Sequence, residues 1–191
     1  FKLAGAGVWW PKRKLEEHPL TELEEHLAIE KEKWNGTELS VKIVGYGGSS
    51  TRAEIAAAII AMAAEKGVHI GTDSQSFITR AQTIIQMINR NQKPKRPWTT
   101  QKDGDLWKTF VDITMQRGTN SIKISKVKAH ATEEHIKQGK SNAKDKEGND
   151  KADEAADNGV LNHTEDVCKI SRIQAIRQND YVKFTIKIHD H

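Results

Sequence analysis

The sequence predicts a mixed α/β sheet with helices on both faces. Short apolar strands alternate with helical stretches along most of the chain. The 191 residues, 36% hydrophobic and 29% charged, suit one domain with a real core and not two large ones. Several strands also end in residues able to do chemistry, as sheets of this class do at their ligand-binding edge.

The elements follow in order. Leu3 to Trp10 is small and apolar, stops at Pro11 and reads as a strand with glycines for close packing. Lys12 to Lys33 is charged and reads as a surface connection with local helix or strand. Leu39, Val41 and Ile43 alternate as a half-buried strand, and residues 45–50 form a loop. Thr51 is positioned to cap a helix over Arg52 to Lys66 that stops at Gly67. Val68 to Asp73 is a short strand, and Ser74 starts a helix burying Phe77, Ile78, Ala81, Ile84, Ile85 and Ile88.

Asn89 to Gln101 is a basic, proline-containing connection. Asp105 to Gly118 is amphipathic, with Leu106, Phe110, Ile113 and Thr114 on one face. Ile122, Ile124 and Val127 mark a strand leading to His130, and Glu133 to His135 begin a surface helix. A polar loop with five lysines, Lys137 to Lys151, precedes a helix over Asp150 to Asn158. Beyond Gly159 the pattern changes. Val167, Ile170, Ile173 and Ile176 are spaced like a short helix, while Tyr181 to Ile188 alternates as a strand. The division expected is a domain over 1–160, incomplete at its N-terminus, and a tail over 161–191. Trp9, Trp10 and Trp34 read as packing residues.

Composition excludes several classes. No apolar run reaches the roughly 18 residues of a membrane span. No signal peptide is expected. The single Cys168 excludes a disulfide framework and a cysteine-based zinc site, and suits a reducing compartment. A net charge of +4 permits a nucleic-acid partner without demanding one.

Glu54 opens an Ala/Ile-rich helix, Asp73 ends a buried strand, and Asp153 lies on a helix whose apolar residues are alanines. Carboxylates gathered from separate elements are what a hard divalent cation needs. Each has a plainer reading: a macrodipole partner for Glu54, an N-cap for Asp73 and a solvated acidic face for Asp153.

The order of the motifs decides between these readings. Thr51-Arg52-Ala53-Glu54, Thr72-Asp73-Ser74-Gln75, Val127-Lys128-Ala129-His130-Ala131 and Gly148-Asn149 through Asp153-Glu154-Ala155-Ala156 together resemble the type 1 ribonuclease H family. Gly5 to Trp10 is similar to that family's second strand, and Pro97-Trp98 with Asp105-Leu106-Trp107 resembles its substrate-binding segment. The insertion after Trp10 and the Lys-rich loop resemble members carried by eukaryotic non-LTR retroelements. The resemblance covers Leu3 to Gly159.

The resemblance implies a ribonuclease H-like fold and hydrolysis of the RNA strand of RNA/DNA hybrids with two Mg²⁺ or Mn²⁺ ions. Glu54, Asp73 and Asp153 would be metal ligands and catalytic, and His130 would assist water attack or product release. Thr51, Arg52, Lys93, Lys95, Arg96, Trp98 and Trp107 would contact nucleic acid. The implied partners are the hybrid and other domains of a retroelement polyprotein, and no membrane. The family's first carboxylate, on a first strand, has no match here and is expected before Phe1. Without it, the alternative is an inactive nucleic-acid-binding or scaffold module on the same fold.

Overall fold

A computed structural model describes residues 3–44, 49–65 and 67–189. The architecture is mixed α/β, as expected. Strand β1 (Ala4–Pro11) is followed by helix α1 (Glu22–Leu27), β2 (Ile29–Lys33) and β3 (Gly36–Ile43). Then come α2 (Ser50–Ala61), β4 (Val68–Thr72), α3 (Gln75–Asn89), α4 (Gly104–Arg117) and β5 (Ile122–Lys126). Helices α5 (Glu133–Lys137), α6 (Ala143–Leu161) and α7 (Glu165–His189) complete the chain.

The strands form two sheets. One is antiparallel, in the order β1-β3-β2; the other is the parallel pair β4-β5. Helix α6 covers one face of β1 and β3. Gly5 and Gly7 make that approach possible, because a Cβ on Gly7 would lie 2.3 Å from the Ala156 nitrogen and 2.5 Å from the Ala152 oxygen. The opposite face packs on α2, where Val8, Leu39, Ile60 and Ala61 are buried together. The larger core joins α2, α3 and α4 to β4 and β5 through Ile55, Phe77, Trp107, Phe110 and Ile122.

Several boundaries differ from expectation. Ser49, not Thr51, caps α2: its hydroxyl accepts from the Arg52 N–H at 3.1 Å. That helix ends at Ala61 rather than near Gly67. The guanidinium of Arg117 donates to the Met62 oxygen at 2.7 Å and to the Ala64 oxygen, taking carbonyls a further turn would need. Lys66, the expected last residue of that helix, and Gly45 to Gly48 of the expected loop lie outside the described residues.

The polar stretch 143–149, expected as loop, is helical and belongs to α6. Asn142 caps it by accepting from the Asp145 N–H at 2.8 Å, and Lys146 and Asp150 pair one turn apart at 2.6 Å. Trp34, expected to pack, is 93% exposed at the β2–β3 turn. Tyr181 to Ile188, expected as a strand, continues α7.

The surface connection 12–28 closes over the end of α2. Glu24 is fully buried and receives both Arg13 nitrogens, at 2.6 and 2.9 Å, and the Thr21 N–H at 2.9 Å. No helix among the described residues is long and apolar enough to cross a membrane.

Candidate active site

Among the described residues no strand lies between β1 and β4. In its place is a slot of about 450 Å³ bounded by both strands, by α2 and by α6. Glu54, Asp73 and Asp153 all line it. Three acids from α2, the end of β4 and α6 therefore line one cavity.

Glu54 is half-buried in the first turns of α2, where its Oε2 accepts from the Thr72 hydroxyl at 2.7 Å. Thr72 in turn accepts from the Ser74 N–H at 3.1 Å, which fixes the turn carrying Asp73. Burial pushes the Glu54 carboxyl above its ordinary range; the Thr72 hydrogen bond opposes this, and the charges of Asp73 and Asp153 add to it. Asp153 is also raised, first by burial and then by Asp73, with His130 acting in the opposite sense. Its Oδ2 accepts from Asn149 at 3.2 Å and lies 3.9 Å from His130 Nδ1. His130 is exposed and has φ +43°, an uncommon backbone conformation for histidine.

This donor set fits a hard divalent cation: carboxylate oxygens from three elements, mutually repelling, with the Lys126 ammonium nearby. The acids line one cavity without forming a closed cage. Among the described residues no three His, Cys, Asp or Glu side chains stand close enough to hold an ion together.

A second concavity lies on the other side of the α2 N-terminus. It is a groove of about 1140 Å³ whose lining includes Thr51, Lys93, Lys95, Arg96 and Trp98. The lysines and Arg96 are exposed, and Trp98 lies beneath the Arg80 guanidinium, 5.8 Å from the ring centre. Trp107 also borders this groove but is a core residue, stacked on Phe77 at 5.8 Å and edge-on to Phe110 at 5.6 Å. Arg52 is held in a two-pronged pair with Asp105, at 2.9 and 2.5 Å, which fastens α2 to α4. Its partners lower the Asp105 carboxyl, led by the Arg52 hydrogen bond.

Sequence reasoning missed Arg80, Arg90 and Lys102, which extend the basic lining, and Thr72 and Lys126, which frame Asp73. Arg80 had a readable signal, since a cation on the exposed side of α3 shares a face with Thr83 and Met87. Lys126 had none; only the fold brings its Nζ to the Asp73 carbonyl.

A mixed α/β domain with carboxylates converging at a strand end and a basic groove alongside has the layout of a nucleic-acid-processing enzyme. The sequence matches the RNase H family over residues 29–161, and the chain belongs to that family. Membership supports a nuclease of the ribonuclease H type. No curated protein matches the chain.

Proposed function

We propose that the chain is an endoribonuclease domain that hydrolyses the RNA strand of RNA/DNA hybrids and comes from a retroelement polyprotein. The observation that carries this reading is the convergence of Glu54, Asp73 and Asp153 on one cavity beside a basic groove. Glu54, Asp73 and Asp153 would hold Mg²⁺ or Mn²⁺, as two ions. Such ions, when bound, activate water and stabilise the leaving oxygen. Thr72 orients the Glu54 carboxylate through its hydroxyl. His130, on an exposed loop within reach of Asp153, is placed to exchange protons with solvent at the edge of the cavity.

The groove supplies substrate positioning. Lys93, Lys95 and Arg96 would meet phosphates, and Trp98 would offer a partly exposed ring. Thr51 lines the groove while Glu54 lines the slot, so the first turns of α2 join binding to chemistry. Arg52, in this reading, positions the groove by holding α4. In this reading residues 1–160 form the domain and 161–191 a tail, and a fourth carboxylate of the kind the family carries on a first strand would complete the metal-binding set.

The open slot between β1 and β4 favours a second reading, a binding module on the same fold without catalysis. One assay separates them: incubation of a hybrid labelled on its RNA strand in Mg²⁺ and in Mn²⁺, with Asp73→Asn and Glu54→Gln as controls. The nuclease reading expects cleavage that either substitution reduces about 10³-fold, the range of a lost transition-state contact worth roughly 4 kcal/mol. Binding without cleavage, weakening steeply with salt, would establish the module instead. Cleavage that survives both substitutions would refute the site.

A further inference from the structure

Helix α7 adds almost nothing to the core. Ser171 is its one buried residue, and most of the helix is exposed. Its sequence nevertheless carries an apolar seam. Positions 167, 170, 174, 177, 181, 184 and 188 advance by three and four residues in turn, which is the a and d spacing of a heptad repeat. Val167, Ile170, Tyr181, Phe184 and Ile188 hold apolar places on that seam, and all are exposed, Tyr181 at 64% and Phe184 at 60%. Ile173, also exposed, flanks it. A lone helix with such a stripe is marginally stable in water, and a stripe of this size marks a contact surface. The two polar seam residues, Gln174 and Arg177, are neighbours at its middle.

We propose that α7 is a dimerisation helix: the seam packs on the α7 of a second copy of this chain, running antiparallel.

The polar seam residues select that partner and that direction. An antiparallel pair sets each a position against a d position of the other helix. Centred between residues 175 and 176, it places Val167 against Phe184, Ile170 against Tyr181 and Gln174 against Arg177, each pair occurring twice by symmetry. The Gln174 side-chain oxygen then accepts from the Arg177 guanidinium, so neither polar group is left unpaired in the seam. A parallel pair would instead set Arg177 against its own copy, two like charges in an apolar interface. The ends agree. Asp166 and Lys187 flank the seam roughly 31 Å apart along one helix, too far to meet within it. Across the antiparallel pair they face each other.

Area agrees as well. The six apolar side chains present roughly 600 Å² per chain, or roughly 1,200 Å² for the pair, the size of a small specific interface. Each domain joins its own α7 at the first turn, so an antiparallel pair holds the two domains at opposite ends, roughly 37 Å apart along the axis. The inference goes beyond the nuclease reading and stands whether or not the chain cleaves.

Sedimentation equilibrium on the full chain tests it between about 1 and about 200 µM. The mass should rise from 21.5 kDa toward twice that value. Ile170→Lys/Phe184→Lys should raise the dissociation constant at least about 100-fold while the domain melts within about 2 °C of the parent, because both positions are exposed in the monomer. Asp166→Lys and Lys187→Glu should each weaken association about fivefold, and the combined variant should associate more tightly than either alone. A chain that stays monomeric at about 200 µM would overturn the proposal. So would a dimer indifferent to Ile170→Lys/Phe184→Lys, whose contacts would lie elsewhere. A combined charge variant weaker than both single variants would overturn the antiparallel arrangement, and an assembly larger than a dimer would overturn the two-helix seam.

Discussion

Strand β1 meets two different surroundings. Its face toward α6 is sealed, with Gly5 and Gly7 pressed against the helix backbone so closely that no side chain fits between. Among the described residues, its edge toward β4 borders a cavity and has no ladder partner. The difference shows that face and edge are specified separately. A face is set by side-chain size within the two elements that meet, and glycine plus alanine is sufficient. An edge is set by a third segment that must arrive from elsewhere in a chain.

The strongest way to break this contrast is to add volume on each side. Gly7→Val would push a branched side chain into the α6 backbone and Ala155 Cβ, 2.5 Å away, where neither can retreat. The expected loss is roughly 4 kcal/mol, enough to unfold much of the population, read by urea denaturation. Gly71→Ala on the slot side meets only the Val127 Cγ1, at 3.1 Å, and that methyl can move. Its cost should stay within about 1 kcal/mol. Equal losses at the two positions would show that the slot is as tightly closed as the α6 interface.

A smaller effect is expected at the sealed connection. Glu24→Gln removes the charge that holds Arg13, whose side chain is only 13% exposed. An uncompensated cation in that setting costs roughly 3 kcal/mol. The loss should persist in high salt, because the pair lies out of reach of screening ions. A loss that vanishes in salt would place Arg13 in solvent and the connection outside the sealed half.

What the sequence made legible divides along the same line. Periodicity and capping residues located β1, β3, β4, β5 and α3, because their apolar faces and Ser74 carry the signal locally. Of the three acids, Glu54 near the start of α2 and Asp73 at the end of β4 stood out by position, whereas Asp153, in the middle of α6, stood out only by its place in the order of motifs. The length of α6 was not, since residues 143–149 are polar on every side and are stabilised by a cap and turn-spaced ion pairs rather than by an apolar stripe. The end of α2 was not, because Arg117 lies 55 residues from the carbonyl it takes. Trp107, expected to contact nucleic acid, is instead buried against Phe77 and Phe110, a place that follows only from how α3 meets α4. The division of the strands into two sheets depends on which distant strands pair, and local pattern carries no such information.

The smallest expected effect lies at Glu54, where the open slot meets the carboxylates. Burial raises this carboxyl in the folded chain, with Asp73 and Asp153 adding to the shift and Thr72 opposing it. The folded state therefore disfavours the ionised form relative to the unfolded state. Its cost develops as pH climbs through the ordinary carboxylate range, and is complete above the raised folded value. Glu54→Gln keeps an oxygen that can accept from Thr72 and removes the charge. The variant should melt slightly higher than the parent at pH 8, and the gap should close as pH falls below about 4, where both side chains are neutral. Adding Mg²⁺ at pH 8 should raise the parent's melting temperature more than the variant's, because a cation relieves repulsion that the variant no longer has. A gap that does not change with pH would mean that the slot gives Glu54 enough solvent to ionise freely. The open edge of β1 would then continue as open water to the carboxylates themselves.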